Sequence, residues 1–141
     1  MTYTNYELVY FKFLRVSHQV EDRIKNALKE CELTHPQLNI LHILSDAHPK
    51  AMNVKDLKGK MVVSQPDITR LIDRLVNKGL VKRETCADNR RKVDVLLTKE
   101  GQSAFGLAHD VGKKSVGDFF ENFLTETEAK DLHKLLNKIK L

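Results

Sequence analysis

The stretch Ser64-Gln65-Pro66-Asp67-Ile68-Thr69-Arg70-Leu71-Ile72-Asp73-Arg74-Leu75-Val76-Asn77-Lys78-Gly79-Leu80-Val81 decides the reading of this chain. Ile68, Leu71, Ile72, Leu75 and Val76 recur at i, i+3, i+4, i+7 and i+8, which gives a helix one buried face. Ser64 with Asp67 reads as an S-x-x-D cap, and Lys78-Gly79 supplies a basic last turn and a glycine just past the end. With the apolar face turned inward, Pro66, Thr69, Arg70, Asp73 and Asn77 fall on the outward face, flanked by Arg74. Ser64 and Gln65 stand at the leading end. Gln, Thr and Arg there are the side chains that read base edges in a major groove, and the positive end of the helix suits a phosphate. An ordinary amphipathic helix with a solvated polar face shows the same pattern, so this helix alone does not decide the function.

Immediately after Gly79 the period changes. Leu80–Glu84 and Val93–Leu96 read as short strands, joined by the polar turn Ala87-Asp88-Asn89-Arg90-Arg91, so they form a hairpin. Arg90, Arg91 and Lys92 at its tip suit a minor groove or the phosphate backbone. Upstream, Asn53 caps a short helix through Lys60 that turns Val54, Leu57 and Met61 inward. Before it, Thr34 and Gln37 form a capping-box pair, with Pro36 in the first turn, for a helix running to Ala47. Residues 5–31 read as one long helix whose seam is Val9, Phe13, Val16, Val20, Ile24, Ala27 and Cys31. So narrow a stripe on so long a helix needs a partner to cover it.

Downstream, Thr98 caps a fifth helix carrying Ala104, Phe105, Ala108, Val111, Val116, Phe119, Phe120 and Phe123. Gly106, Gly112 and Gly117 in it predict a kink or a close helix contact. Thr125 with Glu128 opens a last helix through Leu132, Leu135, Leu136 and Ile139. The order is helix, helix, short helix, capped helix, hairpin and two more helices, which is the order of a winged helix-turn-helix.

Charge follows the same partition. Residues 51–100 hold twelve Lys/Arg against seven Asp/Glu, whereas the segments before and after each hold six against six. The whole net charge of +5 therefore lies in the middle, as a polyanion-binding module requires. The length of 141 residues suits one domain with one core. No apolar run is long enough for a leader or a membrane span, so a cytoplasmic protein is expected. Cys31 and Cys86 lie far apart and imply reduced thiols rather than a disulfide framework.

The quoted helix resembles the recognition helix of the MarR family. Asp88-Asn89-Arg90-Arg91-Lys92-Val93-Asp94-Val95-Leu96-Leu97-Thr98-Lys99-Glu100-Gly101 resembles that family's wing signature, D-x-R, basic residues, then a strand ending in L-T-x-x-G. Two positions depart from the pattern: Lys58 stands where a small residue is usual, and Val62 where the turn usually holds glycine.

The resemblance implies a mainly α fold with a small β-hairpin, a winged helix-turn-helix with N- and C-terminal dimerisation helices. It spans residues 1–141 as a single domain, with the DNA-binding lobe at about 34–98 and dimerisation helices at about 5–31 and 99–141. It implies a homodimer on a pseudo-palindromic double-stranded operator, acting as a repressor released by a small-molecule effector. The expected DNA-binding residues are Ser64, Gln65, Pro66, Thr69, Arg70, Arg74, Arg90, Arg91 and Lys92. Asp88 is expected to shape the wing by pairing with Arg90.

Other classes leave weaker traces. There is no G-x-S-x-G, P-loop, G-x-G-x-x-G or H-E-x-x-H, so no enzyme, catalytic residue or cofactor is expected. The six histidines show no i, i+3 or i+4 pair with a metal-site spacing, so no metal ligands are assigned. A thiol-based oxidant sensor or a metal sensor of the same fold is the alternative. For that alternative, Cys31 at the end of the seam reads as a small hydrophobe, and Cys86 lies near Arg83, Arg90 and Arg91.

Overall fold

A computed structural model describes residues 2–63, 66–86, 88–89 and 91–140. Helix α1 (Asn5–Ala27) starts on a capping box in which Thr4 and Glu7 satisfy each other's backbone N–H groups. A 3-10 turn (Leu28–Cys31) follows, ended by Glu32 in the left-handed region at φ 53°. The expected helix over residues 5–31 is therefore shorter, because this left-handed residue draws its N–H back onto the Leu28 and Lys29 carbonyls and closes the last turn.

Helix α2 (His35–Ala47) carries the expected Thr34–Gln37 box and buries Leu38, Ile40, Leu41, Ile43 and Leu44. Strand β1 (Met52–Asn53) leads into α3 (Val54–Lys60), capped by the Asn53 side chain on the Asp56 N–H. Then come α4 (Ile68–Asn77), β2 (Val81–Thr85), β3 (Val93–Leu97), α5 (Lys99–Glu121) and α6 (Glu126–Leu136).

The sheet is antiparallel in the order β1-β3-β2. In its register Val81 faces Leu97 and Arg83 faces Val95, while Met52 also pairs with Val95. Strand β1 was not anticipated from the sequence: two residues are too few to show a period of two. The winged helix-turn-helix itself is present, with a three-stranded wing sheet in place of a bare hairpin.

The core joins Leu41, Leu44, Leu57, Ile72, Leu75, Val81 and Val95, all nearly sealed from solvent. At the end of α4, Leu80 N–H reaches Leu75 C=O at 3.0 Å and Gly79 N–H reaches Val76 C=O at 2.8 Å. This is a Schellman closure with Gly79 at φ 72°, as the Lys78-Gly79 pair predicts. The L-T-x-x-G part of the wing signature is structural. Thr98 donates from Oγ1 to Gly79 C=O at 2.7 Å, and a Cβ on Gly101 would stand 1.9 Å from the Leu80 carbonyl oxygen. Only glycine lets α5 start against the α4–β2 turn.

Helix α5 runs unbroken from Lys99 to Glu121, and of the two expectations for its glycines the close contact is present. Gly112 is buried, where an added Cβ would be 3.5 Å from the Leu38 side chain. The first helix also departs from expectation. Among its residues Ile24 alone is buried, and Tyr6, Tyr10, Phe11 and Leu14 expose apolar surface outside the expected seam. No helix among the described residues is long and apolar enough to cross a membrane.

Candidate nucleic-acid interface

Helix α4 turns Ile68, Leu71, Ile72 and Leu75 into the core, and this fixes what it shows outside. Thr69, Arg70 and Arg74 are exposed, as expected of readers of a groove. The start of the helix differs from the sequence reading. Asp67 is the N-cap, its carboxylate accepting the Arg70 N–H at 3.1 Å, and Pro66 lies before the helix as an exposed turn residue. A carboxylate next to the first turn is a strong acceptor for its orphan N–H groups, and proline has no N–H to offer. Pro66 thus belongs to the approach to the helix and not to its outward face. Ser64 and Gln65, expected at the leading end, lie outside the described residues.

Arg70 also closes onto its own cap, with Nε 3.0 Å from Asp67 Oδ2. Its side chain keeps most of its surface in solvent, and a pair so exposed contributes little to stability. The arginine is held near the helix start without being consumed there.

The turn entering α4 is set by a residue the sequence reading did not single out. Asn39 on α2 accepts the Val62 and Val63 N–H groups with one amide oxygen, at 2.9 and 3.2 Å. An amide set between the apolar Leu38 and Ile40 was the available signal. Val62 stands where glycine is usual, yet the only non-glycine residue at positive φ among those described is Glu32. Position 62 therefore makes no demand for a left-handed residue, and the valine side chain points into solvent.

In the wing, Cys86 N–H binds Lys92 C=O at 3.0 Å and Lys92 N–H binds Asn89 C=O at 2.9 Å, which closes the hairpin. Arg91 N–H binds Asn89 Oδ1 at 3.0 Å. Asp88, Arg91 and Lys92 are exposed. Arg90, and with it the expected Asp88–Arg90 pair, lies outside the described residues. Arg91 and Lys92 share a cleft of about 600 Å³ with Asn53, Lys55 and Asp56 at the start of α3. The fold thus adds Lys55 to the basic wing, across about 37 residues of sequence.

Other expected candidates sit elsewhere. Cys31 and Cys86 are both half-buried free thiols. Cys86 lines a cleft of about 670 Å³ between the wing base and the end of α2. Among the described residues, no three or more His, Cys, Asp or Glu side chains are grouped to hold a metal ion.

Residues 33–93 match the model of the MarR family. A mutant MarR from Escherichia coli, solved in complex with operator DNA, is similar at 27% identity, over 92% of this chain and 91% of that one, with a TM-score of 0.81. AbsC, a MarR family transcriptional regulator from Streptomyces coelicolor, is 25% identical over 96% of this chain and 93% of its own, with a TM-score of 0.82. A MarR-like transcription regulator from Bacillus cereus shares the fold at 22% identity and a TM-score of 0.83, over 95% of this chain and 94% of that one. The segment matched by the MarR family model thus carries α4 and the greater part of the wing, and the chain as a whole is similar to winged helix-turn-helix transcriptional regulators of the MarR family.

Proposed function

We propose that the chain binds double-stranded DNA sequence-specifically as a homodimer, in the cytoplasm, and represses transcription until a small molecule releases it. The observation that carries the DNA reading is the exposed Thr69, Arg70 and Arg74 on a helix flanked by the basic wing. A similar protein complexed with operator DNA supports it. Thr69, Arg70 and Arg74 read base edges in a major groove, with Ser64, Gln65 and Pro66 at the approach. Arg90, Arg91 and Lys92 contact backbone or minor groove, and Asp88 orders the wing that carries them.

Dimerisation is proposed for the helices at about 5–31 and 99–141, around a lobe at about 34–98 of a single domain. Helices α1, α5 and α6 leave an open apolar groove of about 960 Å³, lined by Val9, Phe13, Val16, Phe120, Leu132 and Leu136. An apolar surface of this kind marks an interface, and a two-fold copy covers both grooves with one self-complementary contact. An effector seated between these helices and the lobe would change the spacing of the two reading helices and release the operator.

The test is the affinity for a duplex selected by the protein from a random pool, measured against salt. Phosphate contacts release counterions, so affinity falls by about 0.9 log units per log unit of salt for each contact. Arg70→Ala is expected to cost about 1–3 kcal/mol per half-site and to relax the sequence preference. Affinity flat in salt, or selectivity unchanged without Arg70, contradicts the proposal.

A further inference from the structure

Arg83 is exposed like the other described wing cations and differs from them in the partner it finds on α4. Side chains alternate across a strand, and Arg83 lies opposite Val95, two residues after Val81. Val81 and Val95 are buried, so Arg83 stands on the same sheet face as they do, beyond the edge of the core and still exposed. From there its guanidinium Nη2 reaches Asp73 Oδ1 on α4 at 2.5 Å. Among the described residues this is the one side-chain hydrogen bond between α4 and the wing strands. Beyond Val81, β2 buries nothing, so apolar packing does not hold the outer strand against the helix.

Asp73 is one helical turn from Thr69 and Asn77 and beside Arg74, among the outward side chains of the reading helix. An unpaired carboxylate there would repel phosphates. Paired with Arg83, its charge is offset, and the pair bridges the wing strand and the helix.

We infer that Asp73 and Arg83 are positioning residues that fix the wing relative to the reading helix, so that both meet the same DNA site. The inference rests on the DNA-binding reading above. Neither residue needs to touch a base. Their pairing sets the spacing between the groove read by α4 and the backbone held by Arg91 and Lys92.

The sign of one substitution separates this from simple surface charge. Asp73→Asn removes a negative charge from a DNA-facing helix, which by itself tightens binding to a polyanion. Positioning predicts the opposite. Affinity for the selected duplex is measured by anisotropy across a salt series, for wild type, Asp73→Asn, Arg83→Gln, the double variant and Arg83→Lys. Circular dichroism confirms that each variant is folded. Asp73→Asn and Arg83→Gln are each expected to weaken binding about three- to tenfold, and the double variant no more than the worse single one, as coupled partners do. The salt slope for Asp73→Asn is expected to equal that of wild type, and Arg83→Lys to recover part of the loss. Binding by Asp73→Asn as tight as wild type or tighter, or additive losses in the double variant, overturns the inference. A slope lowered by about 0.9 per chain in Arg83→Gln alone makes Arg83 a phosphate contact instead. A wild-type protein that enriches no sequence overturns the DNA reading, and the inference with it.

Discussion

In the lobe, α2 buries six side chains and α4 four, whereas α1 buries only Ile24 and α6 none. The lobe's helices and the three-stranded sheet share one core, to which Ile24, Leu28 and Ala108 add from outside the lobe. The terminal helices are well capped, α1 by Thr4 with Glu7 and α6 by Thr125 with Glu128, yet they leave Tyr6, Val9, Phe13 and Leu135 largely in solvent. Local order and burial are thus separate matters in this chain. Capping fixes where a helix begins, and it does not supply the surface against which the helix packs. The lobe has that surface within one chain, and in the proposed dimer a second copy supplies it to the terminal helices.

The strongest way to break this contrast is to charge the open groove. Phe13 is 55% exposed and Leu136 40% in the single chain, so glutamates at both cost little in an isolated protomer. In a two-fold interface each appears twice, buried without a partner. Phe13→Glu with Leu136→Glu is expected to shift the sedimenting mass at micromolar concentration from two chains to one, or to aggregates. A persistent two-chain mass contradicts the role of the groove.

A smaller effect tests the junction between the two regions. Gly101→Ala would drive a methyl to 1.9 Å from the Leu80 carbonyl oxygen and 2.9 Å from the Leu97 side chain. The α5 start must then move off the α4–β2 turn, at a cost of about 1–3 kcal/mol or more. The measurement is the urea midpoint, expected to fall with little change in slope. An unchanged midpoint means that the turn yields easily and the lobe does not anchor α5 there.

The smallest effect concerns capping alone. The Thr125 backbone N–H, and then its hydroxyl, hold Glu128 below the ordinary carboxylate value of 4.5. Thr4 does the same for Glu7. A folded-state value below the unfolded one contributes stability above about 4.5 that is lost as pH falls through the folded value. Carboxyl NMR titration is expected to place both below 4.5, and Thr125→Ala to return Glu128 towards it. A Glu128 that titrates at or above 4.5 in the intact chain removes the cap from the account.

The elements readable in the sequence are those with a local cause. The capping boxes at Thr34 and Thr125, the Asn53 and Thr98 caps, the glycine at position 79 and the apolar face of α4 all stand where their spacing places them. What escaped depends on residues distant in sequence. Strand β1 exists because Met52 and Asn53 meet β3, and its two residues carry no period. Asn39 is polar for the sake of a turn 23 residues on, and Arg83 meets Asp73 on α4. The start of α4 was misplaced because Ser64 and Asp67 both make acceptable caps in sequence, and the structure uses Asp67. In the site, Thr69, Arg70, Arg74, Arg91 and Lys92 were legible as polar residues on an outward face, while Lys55 joins them only through the fold.

Hydroxyl-radical footprinting on the selected duplex reads the lobe and the terminal helices together, and so tests whether one dimer places two copies of α4 on one DNA site. Two reading helices held by one two-fold interface are expected to protect two patches, with centres about 10–10.5 base pairs, or about 34–36 Å, apart along one face of the duplex. A single protected patch at saturating protein contradicts the account.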